Sequence, residues 1–185
     1  MKKGYEIRMN LILIGLLLIT FNYGIQIGPT EIGIIPDFLG YWLMFKDVVS
    51  LEEKSPLFAS ARFSVFVTMI ASVVVYVIRA LGLHTVLGIV MWLLDFAMAA
   101  LSIWVTHNIV ISMADVEKRY KVSLVADIMN QAWGIRAAFV VMANVAVFVP
   151  MASGILNVIA VLTGLWFIIV FLQAKRLYVE KFGNE

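Results

Sequence analysis

An aspartate in the middle of an apolar stretch is the residue of this sequence best suited to chemistry. Asp95 is the one charged residue in range 85–105. Polar or small residues recur on the same face of the helix that this stretch predicts: His84, Gly88, Asp95, Ser102 and Thr106. Because an ionisable side chain at the bilayer centre costs about 2.5–3.5 kcal/mol on insertion scales, it usually faces a partner or a cavity. Asp95 is therefore a structural clasp to an Arg or His, a ligand for a cation, proton or amine, or a chance lipid-facing residue.

Other polar residues collect in the half of the protein that we expect to face outward. They suggest a pocket between helices, and the candidate ligand-binding residues are Asp95, Asn22, Gln26, His84, Asn157 and Asp37. The alternative is structural: Asn and Gln stitch helices together by hydrogen bonds, and Asp37 caps a helix.

The chain contains few groups that are typical of catalysis or metal binding. It has no cysteine, which excludes thiol chemistry and disulfides. It has no His-Glu-x-x-His motif, no phosphate-binding glycine loop and no Gly-x-Ser-x-Gly turn. His84 and Asp95 are the only pair that we can name for intramembrane catalysis. We therefore name no metal, no cofactor and no catalytic residue. The sequence contains no positive evidence for an enzyme, but it does not disprove one, because active sites are assembled in space.

The composition indicates that the protein is embedded in lipid. Of the 185 residues, 63% are hydrophobic and 14% are charged, against roughly 45–50% apolar and about 25% charged in soluble domains. So much apolar surface requires lipid. A net charge of +2 is too small for a nucleic-acid binder. The predicted class is an all-α, polytopic membrane helical bundle.

Six membrane segments are predicted within a single integral membrane domain, 1–185. Their approximate bounds are 9–27, 36–49, 63–83, 85–112, 136–151 and 155–174. The second is interrupted by Glu31, Pro36 and Asp37, so it is either a short span or a re-entrant segment.

The basic residues predict the orientation. With six segments, all of the 14 Lys and Arg residues except Arg79 fall on one side, when Arg136 is counted at the inner end of the fifth segment. Because basic loops stay in the cytoplasm, we expect a multi-pass protein of the cell membrane with both termini cytoplasmic.

A threefold repeat of helical hairpins is a further possibility. Trp42, Trp104 and Trp166 recur at a constant interval of 62 residues, and Glu-Lys pairs recur at similar intervals. The alternative is that any six-segment protein with short loops shows roughly even spacing.

The most distinctive string is IPDFLGY at residues 35–41. Pro36 and Asp37 are typical of a helix start, and Gly40 would allow close helix approach. The string resembles the Pro-Asp-Phe-(Ile/Leu)-Gly-Tyr signature of uncharacterised small multi-pass membrane proteins of Gram-positive bacteria. This resemblance implies a membrane protein and assigns no site residue.

Two functions remain after these steps. The first is solute binding or transport through an outward-facing polar pocket. In size, segment number and termini the chain looks like the vitamin-binding subunits of energy-coupling-factor transporters, although no motif is shared. The second is a non-catalytic accessory subunit that binds another membrane protein through small residues such as Ala97, Ala99 and Ala100. The expected partners are the lipid bilayer, a small-molecule ligand whose identity the sequence does not indicate, and, under the second function, another membrane protein subunit; no nucleic acid is expected.

Overall fold

The computed structural model of the protein describes residues 9–21, 24–27, 30–33 and 35–182. These residues form seven α-helices, a two-stranded antiparallel sheet and a 3-10 helix. In chain order the elements are α1 (Asn10–Thr20), β1 (Gly24–Ile27), β2 (Thr30–Gly33), α2 (Asp37–Leu51), α3 (Phe58–Ala80), α4 (His84–Leu87), α5 (Ile89–Tyr120), α6 (Ala126–Val145), the 3-10 helix Ala146–Phe148 and α7 (Pro150–Phe182).

Four helical segments of the described chain are long and apolar enough to cross a membrane, judged by length and composition. They are Phe58–Ala80, Ile89–Tyr120, Ala126–Phe148 and Met151–Phe182. Each exceeds the roughly 20 residues that a bilayer requires. These segments agree with the membrane-embedded helical class that the composition predicts.

The first predicted segment, 9–27, is wrong in its second half. Helix α1 ends at Thr20, and Gly24–Ile27 pairs with Thr30–Gly33 in a β-hairpin whose register sets Gln26 opposite Glu31. Apolar content alone does not distinguish a helix from a strand. The overlooked signals are the alternation of Ile25, Gln26 and Ile27 and the Gly-Pro pair that follows at 28–29.

Each of the remaining predicted segments overlaps a helix whose ends differ from the predicted ones. Segment 36–49 agrees with α2, which has 15 residues. Predicted segment 63–83 corresponds to α3, 85–112 to α5, 136–151 to α6 and 155–174 to α7. Hydropathy marks only the part of a helix that lies in lipid. The 32 residues of α5 extend about 48 Å at 1.5 Å per residue, so this helix continues beyond a hydrocarbon core of about 30 Å.

The six longer helices form a closed ring in chain order. Helix α1 packs against α2, α2 against α3, α3 against α5, α5 against α6, α6 against α7, and α7 against α1. Strand β2 packs against α3. In this order α2 lies three places from α6, directly across the ring.

Packing is tight at one end of the ring and sparse at the other. The closed end, as we call it, contains the turn at 52–57, the loop at 121–125 and the end of α7. Its buried core includes Leu16, Met44, Phe58, Ile109, Phe171 and Tyr178. The open end contains the β-hairpin and the connections at 81–88 and 146–149. Of the described residues in 69–104 and 137–163, only Ser72, Gly82, Met91 and Ala143 are buried.

A buried carboxylate holds the short helix α1 at the closed end. Asp47 of α2 is 3% exposed, and its Oδ2 accepts hydrogen bonds from the backbone N–H groups of Leu11 at 2.7 Å and Ile12 at 3.0 Å. Lys175 of α7 donates to the side chain of Asn10. Because the first N–H groups of a helix have no partner within it, Asp47 acts as a cap supplied by a neighbouring helix.

Two glycines let α1 and α2 approach backbone to backbone. A Cβ at Gly15 would lie 2.5 Å from the carbonyl oxygen of Gly40, and a Cβ at Gly40 would lie 3.0 Å from that of Gly15. The role expected for Gly40 in close helix approach is confirmed.

We predict that Gly15→Ala destabilises the protein by about 2 kcal/mol, since the added methyl group would force two backbones apart. Thermal unfolding of the purified protein in detergent should show a midpoint lowered by about 4–8 °C. Gly134→Ala in α6 is the matched control, because a Cβ there meets nothing within 4 Å, and helix propensity favours alanine by up to about 1 kcal/mol. Equal midpoints for the two variants would contradict the close approach.

Candidate functional site

An arginine lies in the middle of an apolar helix and inside the ring. Arg136 is the eleventh residue of the 23-residue segment Ala126–Phe148 and is 7% exposed. The sequence predicts that Arg136 stands at the inner end of a segment beginning at residue 136. This prediction is wrong, because α6 begins ten residues earlier at Ala126. Arg136 therefore does not mark a membrane interface.

The terminal nitrogens of Arg136 contact two hydroxyls of α5. Nη1 donates to Thr106 Oγ1 at 3.2 Å and Nη2 donates to Ser102 Oγ at 3.4 Å. Trp133, one turn earlier on α6, donates its indole N–H to the carbonyl oxygen of Ile103 at 3.2 Å. This second bond fixes the rotation of α6 against α5 and directs Arg136 toward the hydroxyls.

A tyrosine reaches the same cluster from the opposite side of the ring. Tyr41 of α2 is 3% exposed. Its hydroxyl is placed near the side chain of Ser102, and the charges of Asp37 and Arg136 both act on it. Since α2 and α6 lie across the ring from each other, Tyr41 and Arg136 approach Ser102 from different sides.

Helix α7 leaves room for the guanidinium beside a glycine. A Cβ at Gly164 would lie 3.7 Å from Nε of Arg136 and 3.0 Å from Cγ2 of Thr20, the last residue of α1. The ring of Phe167 lies 5.9 Å from the guanidinium carbon. Arg136 thus lies among residues of α1, α2, α5 and α7. We call Arg136, Tyr41, Ser102 and Thr106 the axial cluster.

No carboxylate of the described residues pairs with Arg136. The ion pairs seen in these parts of the chain join Arg62 to Glu52, Arg79 to Asp95 and Arg119 to Asp115. The neighbours of Arg136 are hydroxyls and an aromatic ring, which are neutral. Within the described structure the hydrogen-bond partners of Arg136 are therefore neutral, although the carboxylate of Asp37 acts electrostatically on Tyr41 of the same cluster.

Asp95 is bound to an arginine of the next helix. Arg79 Nη2 donates to Asp95 Oδ1 at 2.7 Å, and the two side chains are 30% and 37% exposed. This is the arrangement that the clasp alternative describes. The pair ties α3 to α5 near the open end.

The stripe that was predicted to join His84 to Asp95 on one helix is wrong. His84 lies in α4, and Gly88, with φ of +49°, separates α4 from α5. A positive φ suits glycine because it has no Cβ. The helix break therefore removes His84 from the face that carries Asp95, and with it the catalytic pair.

The other candidate residues do not join the axial cluster. Asn157 donates to the Ser153 carbonyl oxygen one turn earlier at 2.9 Å and is exposed. Asp37 lies in the first turn of α2, where it interacts with Tyr41. Gln26 lies on β1, and Asn22 lies outside the described residues.

Metal-ligand groups and clefts among the described residues also bear on the chemistry of the protein. No group of three or more His, Asp or Glu side chains there is arranged to hold a metal ion. A cleft of about 450 Å³ between α3 and α5 is lined by Ala59, Ser60, Phe63, Trp104 and Asn108. None of these five residues is ionisable, and none belongs to the axial cluster. The cleft is therefore separate from the axial cluster.

Comparison with protein families, with curated proteins and with solved structures finds no match for this chain.

Sequence reasoning missed Arg136 and Tyr41 as site residues. The fifth segment predicted at 136–151 leaves residues 126–135 outside any membrane segment. Residues of this range instead begin α6, and their apolar face continues along the helix: Met129, Ala132 and Arg136 are all buried. Their helical spacing was the available signal, because it placed Arg136 on the core face.

We predict that Arg79 and Asp95 are energetically coupled. Asp95→Asn and Arg79→Gln should each lower stability, and the double variant should lose less than the sum by about 0.5–1 kcal/mol, a small value because the pair is partly exposed. Thermal unfolding of the four proteins measures this coupling. The same double-mutant cycle on Arg62 and Glu52, whose arginine is 47% exposed, should give a smaller coupling energy. If the effects of Asp95→Asn and Arg79→Gln on stability simply add, the clasp is excluded.

Proposed function

We propose that this protein resides in the cell membrane and binds a solute inside the helical ring, entered from the open end. The observation that carries the proposal is the axial cluster. It places a buried charge and three hydroxyls where residues from opposite sides of the ring meet. Ionisable residues at this depth in a membrane protein usually serve substrates, ions or protons.

The distribution of basic residues supports a cytoplasmic closed end. Of the 11 Lys and Arg residues in the described chain, Arg79 lies near the open end and Arg136 lies at mid-depth, which leaves nine at or toward the closed end. Because basic residues are retained in the cytoplasm, the open end would face outward. Both termini would then be cytoplasmic.

The proposed topology has six membrane segments, of which the first two are short. Helices α1 and α2 have 11 and 15 residues, or about 16 and 22 Å, so neither crosses a core of about 30 Å alone. The β-hairpin would complete this part of the structure at the open end, with backbone groups paired between its strands.

A threefold repeat remains compatible with this arrangement. The pairs α1 and α2, α3 and α5, and α6 and α7 follow one another around the ring. Their unequal lengths would reflect shortening of the first pair.

Orientation can be tested by cysteine labelling, because the chain has no native cysteine. Val86→Cys and Met151→Cys alter residues that are 83% and 85% exposed at the open end. We expect both to react with a membrane-impermeant thiol reagent in intact cells. Lys118→Cys, exposed at the closed end, should react only after permeabilisation. The reverse pattern would overturn the proposed orientation.

Solute binding can be tested by thermal unfolding of the wild-type protein. We expect at least one class among carboxylates, phosphates, amines, sugars and amino acids to raise the unfolding midpoint with a saturable concentration dependence, since a ligand of the native state stabilises it. If none of these classes shifts the midpoint, solute binding is excluded. The accessory-subunit alternative, in which the exposed Ala97 and Ala100 of α5 would contact a partner, would then be favoured.

A further inference from the structure

The charge of Arg136 makes the axial cluster selective for the sign of a ligand. A guanidinium stays protonated in proteins, and removing an ion from water costs several kcal/mol even after relaxation. The groups that hydrogen-bond to Arg136 in the described structure are hydroxyls, which supply dipoles and carry no charge. A cationic solute would add to the repulsion, whereas an anion would neutralise the site.

The hydrogen bonds of Arg136 leave it able to accept an anion. The bonds to Thr106 and Ser102, at 3.2 and 3.4 Å, are longer than the roughly 2.7–2.9 Å that is typical when an ionised donor meets an ionised acceptor. Nε makes no hydrogen bond to the described residues, and a Cβ at Gly164 would lie 3.7 Å from it. Nε and a terminal nitrogen together form the planar fork that binds carboxylates in a bidentate manner.

The single charge of the site indicates a ligand with one negative charge. One guanidinium balances one carboxylate, whereas a phosphate dianion would leave a net negative charge in a low-dielectric interior. The hydroxyl of Ser102, which lies 3.4 Å from Nη2 of Arg136, can donate to the same anion. The ring of Phe167 beside the guanidinium offers an apolar surface to an organic group.

We propose that the axial cluster binds a small monocarboxylic acid in its ionised form, with the carboxylate on Arg136. The proposal rests on the proposed function and adds the chemical class of the solute. Arg136 provides the charge, and Ser102 provides a hydroxyl donor.

The test measures thermal unfolding of the purified protein with acetate, lactate and benzoate, with their neutral amides, and with inorganic phosphate. We expect at least one carboxylate to raise the midpoint by about 2–4 °C once its concentration reaches roughly tenfold its Kd, with no shift for the matched amide and a smaller one for phosphate. Arg136→Gln should abolish the shift. Arg62→Gln, which removes an arginine that is 47% exposed, should leave it intact.

Stability without solute separates a binding role from a purely structural one. Arg136→Gln removes a buried charge that has no carboxylate partner in the described chain, so its unfolding midpoint should equal or exceed that of the wild type. A clear decrease in the unfolding midpoint of Arg136→Gln without solute, together with carboxylate-induced midpoint shifts that persist in this variant, would overturn the proposal.

The remaining outcomes distinguish this inference from the proposed function. A saturable shift produced only by amides, amines or sugars would refute carboxylate binding and leave solute binding in place. A shift that is larger with phosphate than with every carboxylate would also refute the inference. No shift with any solute would refute both.

Discussion

A guanidinium can stay inside an apolar helical bundle only if protein groups solvate it, and the packing around Arg136 meets that constraint. Arg136 lies among residues of four other helices, and its hydrogen-bond partners are hydroxyls. Hydroxyls are suited to this role because they solvate a charge without cancelling it. The charge of Arg136 is therefore solvated by these partners and not neutralised by them.

The two ends of the ring have different mechanical roles. The closed end contains the large buried side chains and the polar ties between helices, such as the carboxylate of Asp47 at the start of α1. Lys54 there lies 4.6 Å from the ring centre of Phe182 and 5.5 Å from that of Tyr120. The open end has few buried side chains. Stability is thus concentrated away from the region where a solute would enter, as is common for binding sites.

The predictability of this structure differs between its apolar and polar parts. Composition and hydropathy were sufficient for the helical class and for the locations of α3, α5, α6 and α7, because lipid imposes strong constraints on length and polarity. The β-hairpin was not predicted, because range 24–33 is as apolar as a helix end and its strands are stabilised by pairing with each other.

The site was harder to predict than the fold. Asp95 stood out because an apolar run surrounds it on both sides, yet it pairs with Arg79, a partner that the sequence places in a different segment. Arg136 did not stand out, because Asp127, Asn130 and Gln131 precede it and made it resemble a boundary residue. Whether a charge marks an interface or an interior depends on where its helix begins, and hydropathy locates that position least accurately.

The end of α1 and the start of α2 lie at the level of the axial cluster. Thr20, the last residue of α1, lies beside the axial cluster, and Tyr41, in the second turn of α2, belongs to it. The close approach at Gly15 and Gly40 holds these two helices together next to Tyr41. Beyond it the ring is continued by α3, α5, α6 and α7 together with the hairpin. The axial cluster therefore lies at the level where a tightly packed six-helix ring gives way to a looser four-helix wall, and Arg136 forms part of the floor of the open end.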